Sequence, residues 1–301
     1  MMHLYLHSRA KTQFTGNHLS TIGKIVVGLR LSFTMFYNEY KPIASLDSCI
    51  KCIWVLENPL HDETINVVFP DGCMELIFHY GTPFNRIHNN IPRLQEKSIL
   101  VGQLSRPLRL QANGNAGVIG VRFHPWGLYP LVNMPLHKII NSEIAIKQIW
   151  GEEAAELEDK IGQINRDDAI DKIQQFLVRQ MQVVPYHAEK LKEVILLLKK
   201  EHGNVRVDEL ARMSNLSVRQ FTRYFTHLVG LSPKVFSGIL RFQAFFGQCE
   251  KQPDVHLGEL ALQCGYYDQA HFIREFKQYT GMSPSAYFKN EKQLATLFLL
   301  K

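Results

Sequence analysis

The residues best placed to do chemistry in this sequence are two arginines, Arg223 and Arg274, because each holds the same position in a segment that occurs twice. Residues 210–236 read LARMSNLSVRQFTRYFTHLVGLSPKVF, and residues 260–288 read LALQCGYYDQAHFIREFKQYTGMSPSAYF. They share Leu-Ala, Phe-x-Arg-x-Phe and Gly-x-Ser-Pro, at an offset of 50 residues before an internal turn and 51 after it. A guanidinium on a free helix face can donate bidentately to guanine O6 and N7 or clamp a phosphate. The same stripe carries Arg219, Gln220, Thr222 and Thr226 in the first copy, and Gln269, Ala270, His271, Ile273 and Lys277 in the second. Ala270 and Ile273 suit contact with thymine methyls, while polar side chains near a helix N-terminus suit phosphates.

Other residue sets point to other chemistry, more weakly. Cys49-x-x-Cys52 with Cys73 has the form of a redox pair or part of a metal site, but it lies in an apolar run beside Trp54, and a structural zinc wants four ligands. His61, His79, His88 and His124 are scattered, with no His-x-His pair, so no metal and no cofactor is expected. Asp71, Glu75 and Arg122 are the polar candidates of the front half. Arg122 sits among apolar strand residues, where it needs a partner carboxylate or an anionic ligand, and with Glu75 it is the candidate ligand-binding pair. No nucleophile–base pair, phosphate-cradling glycine loop or His-Glu-x-x-His is visible.

Each repeat parses as helix, tight turn, helix. Ser217, with Gln220 three residues on, forms a capping box, and Asp268 takes the same N-cap place in the second copy. Gly230 and Gly281 stand where a left-handed residue ends a helix, and Ser-Pro then starts the next one. Phe221, Tyr224, Phe225 and Leu228, like Phe272, Phe276 and Tyr279, form the core face. The helix joining the two units starts at Pro233, runs to about Cys249 and carries Arg241.

Upstream the text is different. Residues 45–56 are short and apolar, with Ile50, Ile53 and Trp54 at helical spacing, and residues 64–69 and 73–80 read as a β-hairpin around Pro70-Asp71-Gly72. Further strands are expected over 98–104, 107–111 and 117–123, followed by helices over 141–181 that pack on the sheet or pair two subunits. Val183-Val184-Pro185 reads as a linker.

The chain has 301 residues, 46% hydrophobic and 21% charged, with formal net charge +6, which excludes disordered and fibrous classes. The charge is segregated: four basic and no acidic residues in 1–34, fourteen against seventeen in 35–185, sixteen against eleven in 186–301. Five cysteines make no disulfide framework and point to a reducing cytoplasm, and no apolar run is long enough to span a membrane. Patterned sequence begins at Met35, so residues 1–34 are expected to lie upstream of a true start there, the rival being a basic arm.

Residues 187–290 resemble the DNA-binding module of the AraC/XylS family of bacterial transcription regulators, carried by LSVRQFTRYF, GLSPKVF and LALQCGYYDQAHFIREFKQYTGMSP. The resemblance implies two helix-turn-helix units whose recognition helices enter successive major-groove segments of duplex DNA. Arg241, on the joining helix, is included among the DNA contacts. Asn215 stands in the first turn where glycine is common in the family, and asparagine tolerates that conformation. The run from Tyr40 through Phe69-Pro70-Asp71-Gly72-Cys73-Met74-Glu75, Gly102-Gln103-Leu104 and Gly120-Val121-Arg122-Phe123-His124-Pro125-Trp126-Gly127 is similar to an uncharacterised domain found ahead of such modules.

The expected architecture is α+β: a β-rich, cupin-like sensor or dimerisation domain over 35–183, an all-α DNA-binding domain over 186–290, and a tail over 291–301. The function expected is sequence-specific regulation of transcription under a small-molecule effector, with RNA polymerase and a second copy of the chain as further partners. The alternative is a DNA-targeted enzyme with a reactive cysteine at Cys73 or in the Cys49/Cys52 pair.

Overall fold

A computed structural model describes residues 36–58, 65–132, 134–183, 186–253 and 255–291. The expectations placed on 1–35, on His61, on Val184-Pro185 and on the tail beyond 291 lie outside those residues.

The front part is built from β1 (Phe36–Tyr40), β2 (Ile50–Asn58), β3 (Ile65–Val68), β4 (Glu75–His79), β5 (Asn85–His88), β6 (Ile91–Leu94), β7 (Ser98–Val101), β8 (Leu108–Gln111), β9 (Ala116–Phe123) and β10 (Glu143–Ala145). They form two antiparallel sheets, one in the order β1-β2-β9-β4-β7-β10 and one in the order β3-β8-β5-β6. β9 lies inside the larger sheet, every one of its residues is buried, and its sequence AGVIGVRF accordingly lacks polar alternation. Alternate residues sort to the two faces. Leu76 and Phe78, with Ile53, Val55, Ile119 and Val121, pack against α1 (Lys147–Ile161) and α2 (Arg166–Gln180), while Ile77, Ile99 and Val118 join Trp54 and Phe84 in a separate cluster.

Two expectations are corrected here. Residues 50–58 form a strand, because β-branched Ile50, Ile53 and Val55 pair with β9 on one side and β1 on the other; burial on both faces gives a run that mimics helical spacing. The turn at Pro70-Asp71-Gly72 does not close a hairpin. It crosses between the sheets, since β3 pairs with β8 and β4 pairs with β7 and β9.

The rest is helical: α3 (Tyr186–Lys200), α4 (Val207–Met213), α5 (Val218–Val229), α6 (Pro233–Lys251), α7 (Leu257–Gln263), α8 (Gln269–Thr280) and α9 (Pro284–Glu291). Their core is aromatic, with Phe221, Phe225, Phe236, Phe242, Phe245, Phe272, Phe276 and Tyr279 all buried; Tyr224 is half-buried. One ring in that core comes from the front domain. Phe69 stacks on Phe246 at 6.2 Å between centroids and meets Phe242 and Tyr287 edge-on at 6.0 and 5.9 Å. Beside it, Gln243 Nε2 of α6 donates to the Pro70 carbonyl at 2.6 Å.

The turn that presents Phe69 is fixed from the β side. Arg122 of β9 pairs with Asp71 at 2.5 Å and with Glu75 at 3.3 Å, and Asp71 also accepts from the Cys73 amide at 3.0 Å. Burial opposes the arginine's charge, and the two carboxylates more than offset it, holding its pKa well above the ordinary value. The carboxylate partners that a buried arginine requires are thus internal, and the charge of Arg122 is answered by Asp71 and Glu75 without an anionic ligand. Glu75 also accepts from Trp54 Nε1 at 3.2 Å.

Two tests follow from this seam. Phe69→Ala removes a ring buried in the other domain's core and is expected to destabilise the chain by about 3–5 kcal/mol. Calorimetry should then show the single transition splitting in two, with faster protease cleavage between α2 and α3; an unchanged single transition would count against Phe69 as the coupling residue. The second test concerns His124, which stacks on Trp126 at 4.9 Å. Burial, and then the charges of Lys199 and Lys51, bring its pKa down to about 4. The folded chain therefore resists a proton that the unfolded chain accepts near pH 6.5, so stability is full above 6.5 and declines as the pH falls toward about 4. His124→Gln should flatten that decline in a pH series of melting temperatures.

Candidate nucleic-acid interface

Two helices present the repeated stripe. In α5, Ser217 Oγ accepts from the Gln220 amide while the Gln220 side chain accepts from the Ser217 amide at 3.1 Å, so the capping box is complete. In α8, Asp268 accepts from the His271 amide at 2.6 Å. Both helices end on a left-handed glycine, Gly230 at φ 89° and Gly281 at φ 83°. Asn215 takes φ 54° in the first turn, the conformation its side chain tolerates, and Gly265 stands in the second turn at φ 86°.

With Phe221, Phe225 and Leu228 of α5 and Phe272, Phe276 and Tyr279 of α8 turned into the core, the opposite faces are left outward. Arg219 and Arg223 are exposed, with Thr222 and Thr226 half-buried beside them; Gln269, Ala270, Ile273, Arg274 and Lys277 are exposed on the second helix. The Arg223 guanidinium lies 5.5 Å from the Tyr224 ring centroid, a contact that steers it without neutralising it.

Three residues of the expected set have other engagements. Gln220 has its side-chain oxygen in the cap, leaving only its amide NH₂ to reach outward. His271 Nε2 sits 3.2 Å from Glu275. Arg241 is withdrawn from the surface: it donates to Glu275 at 3.3 Å and to the Gly203 carbonyl at 3.3 Å, and its guanidinium faces Tyr266. Its side chain is 13% exposed, so it ties α6 to α8 and does not reach a groove.

Tyr267 was not legible as part of this surface. At 88% exposure it stands at the entrance to α8, while its neighbour Tyr266 is buried against Phe272. A Tyr-Tyr pair before an N-cap offers no pattern that says which ring faces out.

The front domain reaches the far ends of both helices. Beyond Gly230, Cβ growth would meet Gln103 and the Leu136 carbonyl, each at 3.2 Å, so only glycine fits where the backbone is both left-handed and crowded. His227 of α5 faces Tyr129 and His137 at 5.5 and 6.5 Å. On α8, Gln278 Nε2 donates to the Ser105 carbonyl at 3.4 Å, and Gly281 abuts Pro107. Residues 103–107 therefore bridge the C-terminal ends of the two helices, and Gln103 also donates to the Gly72 carbonyl at 2.9 Å, linking the bridge to the Phe69 turn.

Cys52 and Cys73 are not activated thiols. Burial pushes Cys52 up to about 12 and Cys73 up to about 11, the opposite of what nucleophilic chemistry needs. Among the described residues no group of three or more His, Cys, Asp or Glu side chains is placed to hold a metal. No described helix is long and apolar enough to cross a membrane.

Comparison with known proteins matches residues 210–290 to a family described as a helix-turn-helix domain, and residues 38–145 to a domain of unknown function, DUF6597. An HTH-type transcriptional regulator of Haemophilus influenzae is 31% identical over 121 residues, 39% of this chain and 40% of that protein. The HTH-type transcriptional regulator MtrA of Neisseria gonorrhoeae is 33% identical over 97 residues, 32% of each. The chain thus matches about a third to two fifths of the length of these relatives. ToxT from Vibrio cholerae is similar at 12% identity with a TM-score of 0.43, over 84% of this chain and 97% of that one, a likeness too shallow to argue from. The repeated units, their caps and the match together make residues 210–290 an AraC-type helix-turn-helix domain, set behind a DUF6597 domain.

Proposed function

We propose that this chain is a one-component transcription regulator that binds a specific duplex site through α5 and α8 and is governed by a small molecule acting on the front domain. The observation that carries the reading is the matched pair of capped helices, each buried on its aromatic face and leaving Arg223 or Arg274 exposed at the equivalent position. Arg219, Arg223 and Arg274 read bases or hold phosphates; Ala270 and Ile273 give the second helix an apolar patch suited to thymine methyls. Tyr267 joins them as an aromatic contact beside the second helix. The reading carries with it a cytoplasmic location, action on RNA polymerase at a promoter, and pairing of two copies through α1 and α2.

Selection from random duplexes by the full chain, followed by sequencing, tests the core of this. The full chain is required because Phe69 completes the helical core. A motif of two short blocks about 10 bp apart is the expected outcome, and an unenriched pool would oppose it. On the selected duplex, Arg274→Ala and Arg223→Ala should each weaken binding by about 1–3 kcal/mol without lowering the melting temperature. Arg241→Ala should do the reverse, lowering the melting temperature by leaving Glu275 without its arginine while sparing the contacts to DNA. Affinity should also fall steeply with salt.

A further inference from the structure

Away from Arg122, the front domain holds a basic cleft. Between the β5–β6 hairpin and β10 lies a cavity of about 420 Å³ whose walls include Arg86, Arg93, Arg106 and His88. Arg86 and Arg93 stand directly opposite each other in the β5–β6 register, a like-charge pair that weakens the hairpin unless an anion lies between them. Glu143 answers Arg86 only, at 3.3 Å, and is itself shared with Gln95 Nε2 at 2.8 Å. Arg93 and Arg106 are exposed and have no ion-pair partner among the described residues, with Glu96 the one other acid on the wall.

The cleft adjoins the bridge between the recognition helices. Arg86 Nη2 donates to the Asn141 carbonyl at 2.7 Å. Asn141, held at φ 55°, accepts from the Ser105 amide and donates to Ser105 Oγ, both at 2.9 Å, and its own amide donates to the Gln103 carbonyl at 2.8 Å. Arg106 lies within the bridge itself, between Ser105, which accepts from Gln278 of α8, and Pro107, which abuts Gly281. A group bound by Arg86, Arg93 and Arg106 therefore pulls directly on the segment that joins the ends of α5 and α8.

We propose that this cleft is a binding site for a small organic oxyanion, a carboxylate or a phosphate ester, held by Arg86, Arg93 and Arg106, and that its occupancy resets the bridge 103–107 through Asn141. The site rests on the regulator reading for its purpose, but its occupancy can be measured without DNA. Arginine forks match either oxyanion bidentately, and a cavity of this size admits a metabolite rather than a polymer.

The test titrates the full chain with inorganic phosphate and with citrate at constant ionic strength, chloride serving as reference, by calorimetry and thermal shift. At least one oxyanion should bind and raise the melting temperature, and Arg93→Ser with Arg106→Ser should weaken it about tenfold or more. In the absence of anion the double variant should melt no lower than the parent, since a repulsion has been removed. Asn141→Gly, which tolerates the left-handed conformation, should keep the anion affinity and abolish the anion's effect on affinity for the selected duplex. No binding beyond chloride, or equal binding by the double variant, overturns the site. So does a double variant that loses affinity for unrelated duplexes with a shallower salt dependence, because the arginines would then be holding DNA phosphates. An anion effect that survives Asn141→Gly overturns the route. If the chain selects no duplex yet binds the anion through these arginines, the site stands and the regulator reading falls.

Discussion

The deepest contact between the two domains is a single ring. Phe69 leaves the β-domain and lies between Phe242, Phe246 and Tyr287, so the aromatic core of the helical domain is closed by a residue that it does not itself encode. Hydrophobic closure of this kind is strong but non-directional. Direction comes from the polar contacts around the ring: Gln243 on the Pro70 carbonyl, Arg122 on Asp71, and Gln103 on the Gly72 carbonyl. Three consecutive residues after Phe69 are each held by a different element, one from α6, one from β9 and one from the bridge.

That arrangement explains why a buried arginine stands in a strand of otherwise apolar residues. Removing Arg122 leaves two half-buried carboxylates facing each other uncompensated, which is costlier than never having placed charges there. What the ion pair supplies is a rigid turn that presents Phe69 at a set angle.

The helical half was legible because its signals are local. Ser217, Gln220, Asp268, Gly230 and Gly281 act within one turn of where they stand, and the repeat doubles each signal. The stripe bearing Arg223 and Arg274 followed from the same periodicity. The place of Arg241 is not legible for the opposite reason: its partner Glu275 lies on another helix, and no spacing in the sequence pairs them. The same holds for the turn at Pro70-Asp71-Gly72, whose composition encodes a reversal but not which strands flank it in a sheet. Residues 50–58 were mistaken because a strand buried on both faces loses the alternation by which strands are recognised. The arginine cleft was invisible for want of proximity in sequence, since Arg86 and Arg93 become neighbours only through the β5–β6 register.

The two capped helices of the repeat are not held alike. α8 is anchored inside its own domain by Arg241 on Glu275 and meets the front domain through Gln278 and Gly281. α5 has no such internal ion pair among the described residues; its end abuts the 3-10 turn Leu136–Ile139, with Gly230 under the Leu136 carbonyl and His227 between Tyr129 and His137. A displacement of the bridge 103–107 therefore reaches α8 through Gln278 and Gly281 and α5 through Gly230, beside the contacts that His227 makes with the front domain. Under the proposed regulator reading, two helices that enter successive grooves are sensitive to their relative placement, because DNA fixes the spacing they have to match. On that reading, a front-domain segment that touches the ends of both helices stands where their relative placement is set.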